Sequence, residues 1–167
     1  IYEDRQGRLW IGTMRGLNRY DAENDRFIRY TNTIVDSSGI RPEYITCILE
    51  DSKGYFWLGT KGGGVILFDR ESRVAVRLKH DPRNSKSINN NFISSIFEDG
   101  NGVLWVGTES GYNRLRYSED EIIFEQDKKG IPPGISSIKV FDLYERMGSS
   151  KMSNAVLQAD YVDNQGN

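Results

Sequence analysis

One arrangement of apolar and polar residues occurs three times along the chain. In each copy an acidic pair and a short polar turn precede an apolar run with tryptophan at its centre, and Gly-Thr follows the run. The copies lie at residues 3–13, 50–60 and 98–108. Their tryptophans, Trp10, Trp57 and Trp105, are separated by 57 − 10 = 47 and 105 − 57 = 48 residues. A period of this size in a turn-rich sequence predicts propeller blades or solenoid turns, in which each unit buries its apolar faces against its neighbours.

Each copy also predicts a β-hairpin. In the third copy Asp99 opens the turn, where its carboxylate can accept backbone N–H bonds, and Gly102 closes it with the positive φ that returns the chain to the sheet. In the strand that follows, Leu104 and Val106 should face one side of the sheet and Trp105 the other. Because every residue of this run is apolar, both sides should be covered. Each tryptophan is therefore expected to pack between adjacent sheets.

Antiparallel strands are predicted throughout each repeat, four to a repeat. We place those of the first repeat at residues 1–3, 8–13, 16–21 and 26–30. Those of the second are placed at residues 44–50, 55–60, 64–69 and 73–79. Those of the third are placed at residues 92–98, 103–108, 112–117 and 121–125. The predicted fold class is all-β, built from β-propeller blades of four antiparallel strands.

The repeats divide the chain into units that differ in completeness. We predict a partial blade with its linker, a second blade with its linker, a third blade, and an irregular insertion that leads into a fourth blade, at residues 1–43, 44–91, 92–125 and 126–167. The period breaks because the next Asp-x-x-Gly turn ends at Gly166, and 166 − 102 = 64 residues separate it from Gly102. Propellers typically close with about four to eight blades, so we expect an incomplete ring of about three blades from a larger propeller. Ile1 falls inside a repeat, so the sequence is expected to be a piece of a longer protein.

Two interpretations of the tryptophans differ in function. They are core residues of stacked blades, or they form an aromatic cage for a sugar or a cation. A cage requires rings that converge, whereas the repeat places one ring in each blade. We therefore favour the core interpretation.

Composition and charge exclude several classes of partner. The net charge is −2, with basic and acidic residues interspersed, so the segment offers no electrostatic footprint for nucleic acid or an anionic membrane. No run approaches the roughly 20 apolar residues that cross a bilayer. Cys47 is the chain's one cysteine and lies in an apolar run, so it is predicted to be a small core residue.

Candidate catalytic and metal-binding residues are few. His80, the one histidine, lies in a polar loop without a second histidine or cysteine at metal-ligand spacing. The acidic pairs recur with the repeat, so we interpret them as turn-forming residues, and the turn at residues 99–102 is too short to be a calcium loop. No nucleophile elbow or phosphate-binding glycine loop is present. The sequence therefore predicts no catalytic residue, no metal site and no cofactor.

A ligand site, where one exists, is expected at the rim of the central channel. Two sets of loops should meet there, those that follow Gly-Thr and those that lead into the first strand of each blade. The first set offers Arg15, Lys61 and Glu109. The second set offers Arg41, Tyr44, Asn91 and Phe92. These aromatic and hydrogen-bonding side chains suit polar small molecules, and the alternative is that they are ordinary exposed loop residues.

The first 21 residues resemble the two-component regulator propeller repeat. They read Ile-x-Glu-Asp-x-x-Gly-x-Leu-Trp-Ile-Gly-Thr-x-x-Gly-Leu-Asn-Arg-Tyr-Asp. The polar loop at residues 80–91 is similar to the linker between such repeats, and the resemblance covers about residues 1–125. The second repeat departs from the first by an additional glycine, and the third lacks the aspartate that follows this strand in the other two.

The resemblance implies a function. Such repeats build propellers in the extracytoplasmic part of bacterial sensor proteins, often hybrid histidine kinases, and many of these sensors in gut bacteria detect polysaccharide breakdown products. We therefore expect a non-catalytic piece of a periplasmic or extracytoplasmic sensor domain, with any kinase and any membrane anchor outside it. Its expected partners are an oligosaccharide or another small molecule, and the remaining blades or a second copy of the chain. The alternative is a free-standing propeller that acts as a lyase-like enzyme or as a protein-interaction scaffold.

Overall fold

The three repeats form three four-stranded antiparallel sheets in the computed structural model, which describes residues 1–30, 44–117 and 122–126. Blade one contains β1 to β4 at Tyr2–Glu3, Leu9–Thr13, Gly16–Asp21 and Arg26–Tyr30. Blade two contains β5 to β8 at Ile45–Glu50, Phe56–Thr60, Val65–Phe68 and Ala75–Leu78. Blade three contains β9 to β12 at Ile93–Glu98, Leu104–Thr108, Gly111–Tyr117 and Ile122–Gln126. Within each blade every strand pairs with the next along the chain, which confirms the predicted all-β propeller blades.

Strand positions agree with the predicted ones to within two residues, and the tryptophans share one register. Trp57 lies opposite Leu49 and Leu67, and Trp105 lies opposite Phe97 and Arg114. The expected equivalence of the two rings is therefore confirmed. The predicted linker at residues 31–43 and the predicted start of a fourth blade at residues 155–167 lie outside the described residues. The boundaries of the predicted units stay predictions.

The first strand of each blade is the innermost one, because β9 contacts both β5 and β6 of the preceding blade. The glycine of each Gly-Thr pair permits this approach. A Cβ atom on Gly59 would lie 2.4 Å from Sγ of Cys47 and 2.8 Å from Cγ2 of Ile93. A Cβ atom on Gly12 would lie 2.7 Å from Cγ2 of Ile45. The repeated glycine is thus required by the close packing of neighbouring strands.

Two hydrophobic clusters fill the spaces between the blades. Trp10 packs on Phe56 of blade two, with ring centroids 5.1 Å apart. On the other face of blade two, Trp57 packs in the cluster that contains Leu104 and Val106 of blade three. Successive residues of β6 therefore point to opposite neighbours, as predicted for a strand covered on both sides. Cys47 is buried in the second cluster, which confirms its prediction as a core residue.

The aspartate of each repeat organises its hairpin turn. Oδ1 of Asp51 accepts the backbone N–H bonds of Lys53 and Tyr55 at 3.0 and 2.9 Å, and Gly54 has φ +88°. Oδ2 accepts the indole N–H of Trp57 at 2.7 Å. The corresponding indole bonds from Trp10 and Trp105 measure 2.8 and 2.9 Å. The sequence predicted the turn bonds, whereas the bond to tryptophan is a finding of the structure.

The glutamate before each aspartate links neighbouring blades. Oε2 of Glu50 accepts the backbone N–H of Arg5 in blade one at 2.9 Å. Oε2 of Glu98 accepts the backbone N–H of Ser52 in blade two at 2.7 Å. The acidic pair was predicted to form turns only. The structure corrects this for the glutamate, whose carboxylate reaches the turn of the preceding blade.

A second link runs from the end of the third strand to the aspartate of the preceding blade. Nη1 of Arg70 donates to Oδ2 of Asp4 at 3.0 Å, and Nη2 donates to Oε1 of Glu50 at 2.7 Å. In blade three the equivalent position is Tyr117, whose hydroxyl donates to Oδ2 of Asp51 at 2.7 Å. Burial, followed by this hydrogen bond, raises the pKa of Tyr117. Both described interfaces therefore contain the same two contacts. A glutamate of the later blade accepts a backbone N–H of the earlier blade, and a side chain of the later blade donates to the aspartate of the earlier blade.

Candidate functional site

The loops proposed to carry a ligand site meet at one side of the blades. The backbone N–H of Lys61 donates to the carbonyl of Tyr44 at 2.9 Å, and Lys61 forms an isolated β-bridge with Phe92. The backbone N–H of Glu109 donates to the carbonyl of Phe92 at 3.2 Å. We call Tyr44, Lys61, Asn91, Phe92 and Glu109 the rim. The structure thus brings these predicted residues together across the interface of blades two and three.

The backbone of the rim is fixed by the additional glycine of the second repeat. The N–H groups of Gly62 and Gly64 both donate to the carbonyl of Asn91, at 3.1 and 2.9 Å. Gly64 has φ +78°, and a Cβ atom there would lie 2.2 Å from the carbonyl oxygen of Leu78. The hydroxyl of Thr60 closes the same turn by donating to the carbonyl of Gly64 at 2.7 Å. Only glycine satisfies these constraints at position 64.

The side chains of the rim combine an aromatic surface with charges of both signs. Nζ of Lys61 lies 5.6 Å from the ring centroid of Tyr44, at cation–π distance. Phe92 is 40% exposed, and a Cβ atom on Gly62 would lie 3.6 Å from its ring. The side chains of Lys61 and Glu109 are exposed. Such a surface can stack on a ligand ring and hydrogen-bond to its hydroxyl or carboxyl groups.

The remaining predicted site residues are not part of this group. Arg15 is exposed on the equivalent loop of blade one, where its backbone N–H donates to Oγ1 of Thr13 at 3.1 Å. Arg41 lies outside the described residues. Counting from the tryptophan identifies the blade-one equivalent of Lys61 and Glu109 as Met14, which is 62% exposed and which the sequence analysis missed.

A loop between blades two and three supports the rim from behind. Nδ1 of His80 lies 2.8 Å from the carbonyl oxygen of Ile88, and the backbone N–H of His80 donates to Oδ1 of Asn91 at 2.8 Å. Oδ1 of Asn89 accepts bonds from Thr108 and from the buried Asn113, at 2.7 and 2.8 Å. Sequence reasoning missed Asn89 and Asn113, because nothing in the sequence shows that a loop amide pairs with a buried amide of β11. Here His80 has a structural role.

Two cavities among the described residues lie away from the rim. One of about 620 Å³ is lined by the turn and outer strands of blade two, including Tyr55, Leu67, Arg70 and Val76. A second of about 340 Å³ lies in blade one beside Arg8 and Arg19. Neither is lined by a rim residue. We base the candidate site on the rim because its groups converge from two blades, whereas Arg70 already binds Asp4 and Glu50.

Within the described ranges, no group of three or more histidine, cysteine, aspartate or glutamate side chains could hold a metal ion. The same residues contain no helix that is long and apolar enough to cross a membrane.

The four-stranded sheets and the tryptophan repeat define a β-propeller domain. A comparison with protein families shows which kind of propeller repeat it resembles. The two component regulator propeller family matches residues 1–15, 39–62 and 87–110, which contain the three tryptophan motifs. The three tryptophan motifs of this chain therefore match the two-component regulator propeller repeat, as the resemblance indicated. No curated protein sequence matches the chain.

Solved structures place the chain among sensor propellers. The extracellular domain of BT4673 from B. thetaiotaomicron is 28% identical with a TM-score of 0.60, over 74% of this chain and 17% of that one. BT4673 is described as a one component system with this structure and as a hybrid two component system with another. The extracellular domain of the hybrid two component system BT3049 from the same organism is 23% identical with a TM-score of 0.62, over 82% of this chain and 19% of that one.

The matched structures indicate where such domains are located and how much of one this chain represents. BT4673 matches through its extracellular domain, in agreement with the extracytoplasmic location that the resemblance implied. The chain spans less than a fifth of either sensor structure. Virginiamycin B lyase from Staphylococcus aureus also shares the fold, with 16% identity and a TM-score of 0.53 over 80% of this chain and 42% of that one. At this identity the likeness concerns the fold alone.

Proposed function

We propose that this segment is a non-catalytic part of the ligand-sensing propeller of a bacterial two-component signalling protein, and that the rim contacts an extracellular small molecule such as an oligosaccharide. The observation that carries the proposal is the convergence of Tyr44, Lys61, Phe92 and Glu109 from two blades. Any kinase activity and any membrane anchor lie outside the segment. The family match and the similarity to extracellular domains of bacterial signalling proteins support this reading.

Chemistry at the rim suits a polyhydroxylated ligand. The exposed ring of Phe92 supplies an apolar surface for the C–H groups of a sugar ring, and the charged ends of Lys61 and Glu109 supply a donor and an acceptor for its hydroxyl groups. The backbone beneath is fixed by bonds between the loops, so little ordering is needed when a ligand binds.

The alternatives are an enzyme and a protein-binding scaffold. The lyase likeness supports only a shared fold. The ring of His80, the chain's one histidine, faces a backbone carbonyl. Sensing is therefore the function that we favour.

Isothermal titration calorimetry of the whole chain against a panel of neutral and acidic oligosaccharides tests the proposal. We expect at least one binder, with affinity reduced about tenfold or more by Phe92→Ala, the loss of one stacking contact. Phe27→Ala is the matched control, because Phe27 is 59% exposed on β4 outside the rim. Binding that survives Phe92→Ala and Lys61→Ala would place the site elsewhere, and turnover of a bound sugar would favour the enzyme.

A further inference from the structure

The hairpin turn of the third repeat contains an Asn-Gly pair that the other two repeats lack. Asn101 precedes Gly102, whereas Gln6 and Lys53 precede the turn glycine in the first and second repeats. Glycine has no side chain to hinder its own backbone nitrogen, and the side-chain amide of a preceding asparagine reaches that nitrogen through a five-membered ring. Asn-Gly is therefore the pair in which the chain most readily attacks its own asparagine, and this is the one such pair in the sequence.

Asn101 is exposed to water at a position that stays exposed when a further blade follows. Gln6 and Lys53 occupy the same position of blades one and two, where the next blade is in place, and both are exposed. Water and hydroxide can therefore reach the Asn101 side chain, whatever follows blade three.

The folded turn restrains the nitrogen that would attack. The backbone N–H of Gly102 donates to the carbonyl of Asp99 at 2.9 Å, and Gly102 has φ +74°. The carboxylate of Glu98 lies beside the same glycine, since a Cβ atom on Gly102 would lie 3.6 Å from Oε1 of Glu98. The nucleophile is the deprotonated amide nitrogen, and its negative charge is disfavoured next to a carboxylate. Attack on Asn101 therefore requires the turn to open, as local segments of folded chains do.

We propose that Asn101 is a site of spontaneous deamidation, and that opening of the blade-three turn sets its rate. In the open turn the backbone nitrogen of Gly102 loses its proton to hydroxide and bonds to Cγ of Asn101. The side-chain amide nitrogen takes up a proton and leaves as ammonia, so the first product is a cyclic imide. Water then adds to one of the two imide carbonyl carbons and breaks the bond from that carbon to nitrogen. The final product is aspartate or isoaspartate at position 101, and water is the one co-reactant consumed.

The modification acts on the residue that organises blade three. Oδ1 of Asp99 accepts the backbone N–H bonds of Asn101 and Val103 at 2.9 and 3.0 Å, and Oδ2 accepts the indole N–H of Trp105 at 2.9 Å. Isoaspartate adds one carbon to the main chain between the two backbone N–H groups, so one oxygen atom no longer meets both at hydrogen-bond distance. Conversion of Asn101 therefore weakens the hold of Asp99 on the core tryptophan.

Peptide mapping by mass spectrometry tests the site on the whole chain, folded and unfolded in guanidinium chloride, at mildly alkaline pH. We expect conversion of Asn101 in both states, slower by about tenfold or more in the folded chain because the closed turn opposes attack. Asn84 precedes serine and is the internal comparison, which should convert more slowly than Asn101 in the unfolded chain. Asn101→Gln is the matched variant, because the first repeat has glutamine at this position, and it should abolish the modification.

Two variants test the role of the turn. Glu98→Gln removes the charge beside Gly102 but keeps an oxygen for the N–H of Ser52, so it should speed the conversion of Asn101 in the folded chain. Trp105→Ala loosens the turn through Asp99 and should bring the rate towards that of the unfolded chain. Glu98→Gln remains informative if Trp105→Ala does not fold.

The effect on the core is measured on converted chains separated by ion exchange. The isoaspartate chain should unfold at a lower urea concentration than the natural chain, and Asn101→Asp, which has the charge without the added carbon, should lie between them. The proposal is overturned if Asn101 converts equally fast in the folded and unfolded chains, or if it stays intact in the folded chain and in both turn variants. An isoaspartate chain as stable as the natural one would overturn the link to Trp105.

Discussion

The indole N–H of Trp57 and the hydroxyl of Tyr117 converge on the same carboxylate oxygen, Oδ2 of Asp51, at 2.7 Å each. Trp57 and Asp51 belong to blade two, and Tyr117 belongs to blade three. The turn of one blade, its core residue and the edge of the next blade are therefore joined at a single atom. Asp51 is fully buried, so each of these donors depends on it for a partner.

Asp51→Asn tests this relationship. An amide can accept at one atom only, so at least one buried donor should lose its partner, at a cost of about 1–3 kcal/mol in the free energy of unfolding. Tyr117→Phe in the same background removes one of the donors and should recover part of the loss. Urea unfolding of both single variants and the double variant measures the coupling, which we expect to be about 1 kcal/mol. Additive effects would show that the two groups do not interact in solution.

Trp105→Ala should destabilise the chain by about 3–5 kcal/mol, because its ring is 1% exposed. Arg15→Ala is the control, because Arg15 is an exposed residue of blade one whose hydrogen bond to Thr13 is made by its backbone N–H. Thermal unfolding compares the two. Equal melting temperatures would show that Trp105 is not a core residue and would reopen the interpretation of the tryptophans as a binding cage.

Much of this fold follows from local sequence signals, since the register of the tryptophans, the turn glycines and the alternation of apolar residues all lie within single repeats. The contacts of Glu50 and Arg70 with blade one could not be predicted in this way, because they join residues 45 and 66 positions apart. The rim could be predicted only in part. Its loops were predicted from propeller geometry, whereas the role of Asn91 beneath Gly62 and Gly64 depends on a backbone arrangement that the sequence does not display.

Gly59→Ala should destabilise the chain by about 1–3 kcal/mol through overpacking of β6 against Cys47 of β5 and Ile93 of β9. The backbone at Gly59 has no positive φ, so the cost arises from the 2.4 Å approach of the new Cβ atom to Sγ of Cys47. Cys47→Ala removes that sulfur and should restore part of the stability in the double variant. A Gly59→Ala chain as stable as the natural one would show that β5 and β9 can move away from β6 without cost.

Acid should weaken the interface between blades one and two through Asp4. Burial alone would raise the pKa of Asp4, but the hydrogen bonds from Trp10 and from Arg8 outweigh it and hold the pKa at about 2. The unfolded value is 3.8, so the unfolded chain binds more protons between these values and stability falls as the pH decreases. This carboxylate should contribute about 2 kcal/mol, fully present above about pH 5 and lost progressively towards pH 2.

Arg8→Met identifies the source of that pH dependence. The bond from Nε of Arg8 to Oδ2 of Asp4 measures 2.8 Å, and without it the pKa of Asp4 should rise towards 3.8. The variant should then be less stable at neutral pH and should lose less stability between pH 5 and pH 2, as measured by urea unfolding at each pH. Arg26→Met is the matched control, since the Arg26–Asp21 pair is more exposed and should have a much smaller effect. If Arg8→Met and the natural chain lose the same stability between pH 5 and pH 2, the acid sensitivity arises from other carboxylates. Glu50 is the first to test, because its pKa is also lowered. Burial alone would raise that pKa, but the hydrogen bond from Arg70 lowers it.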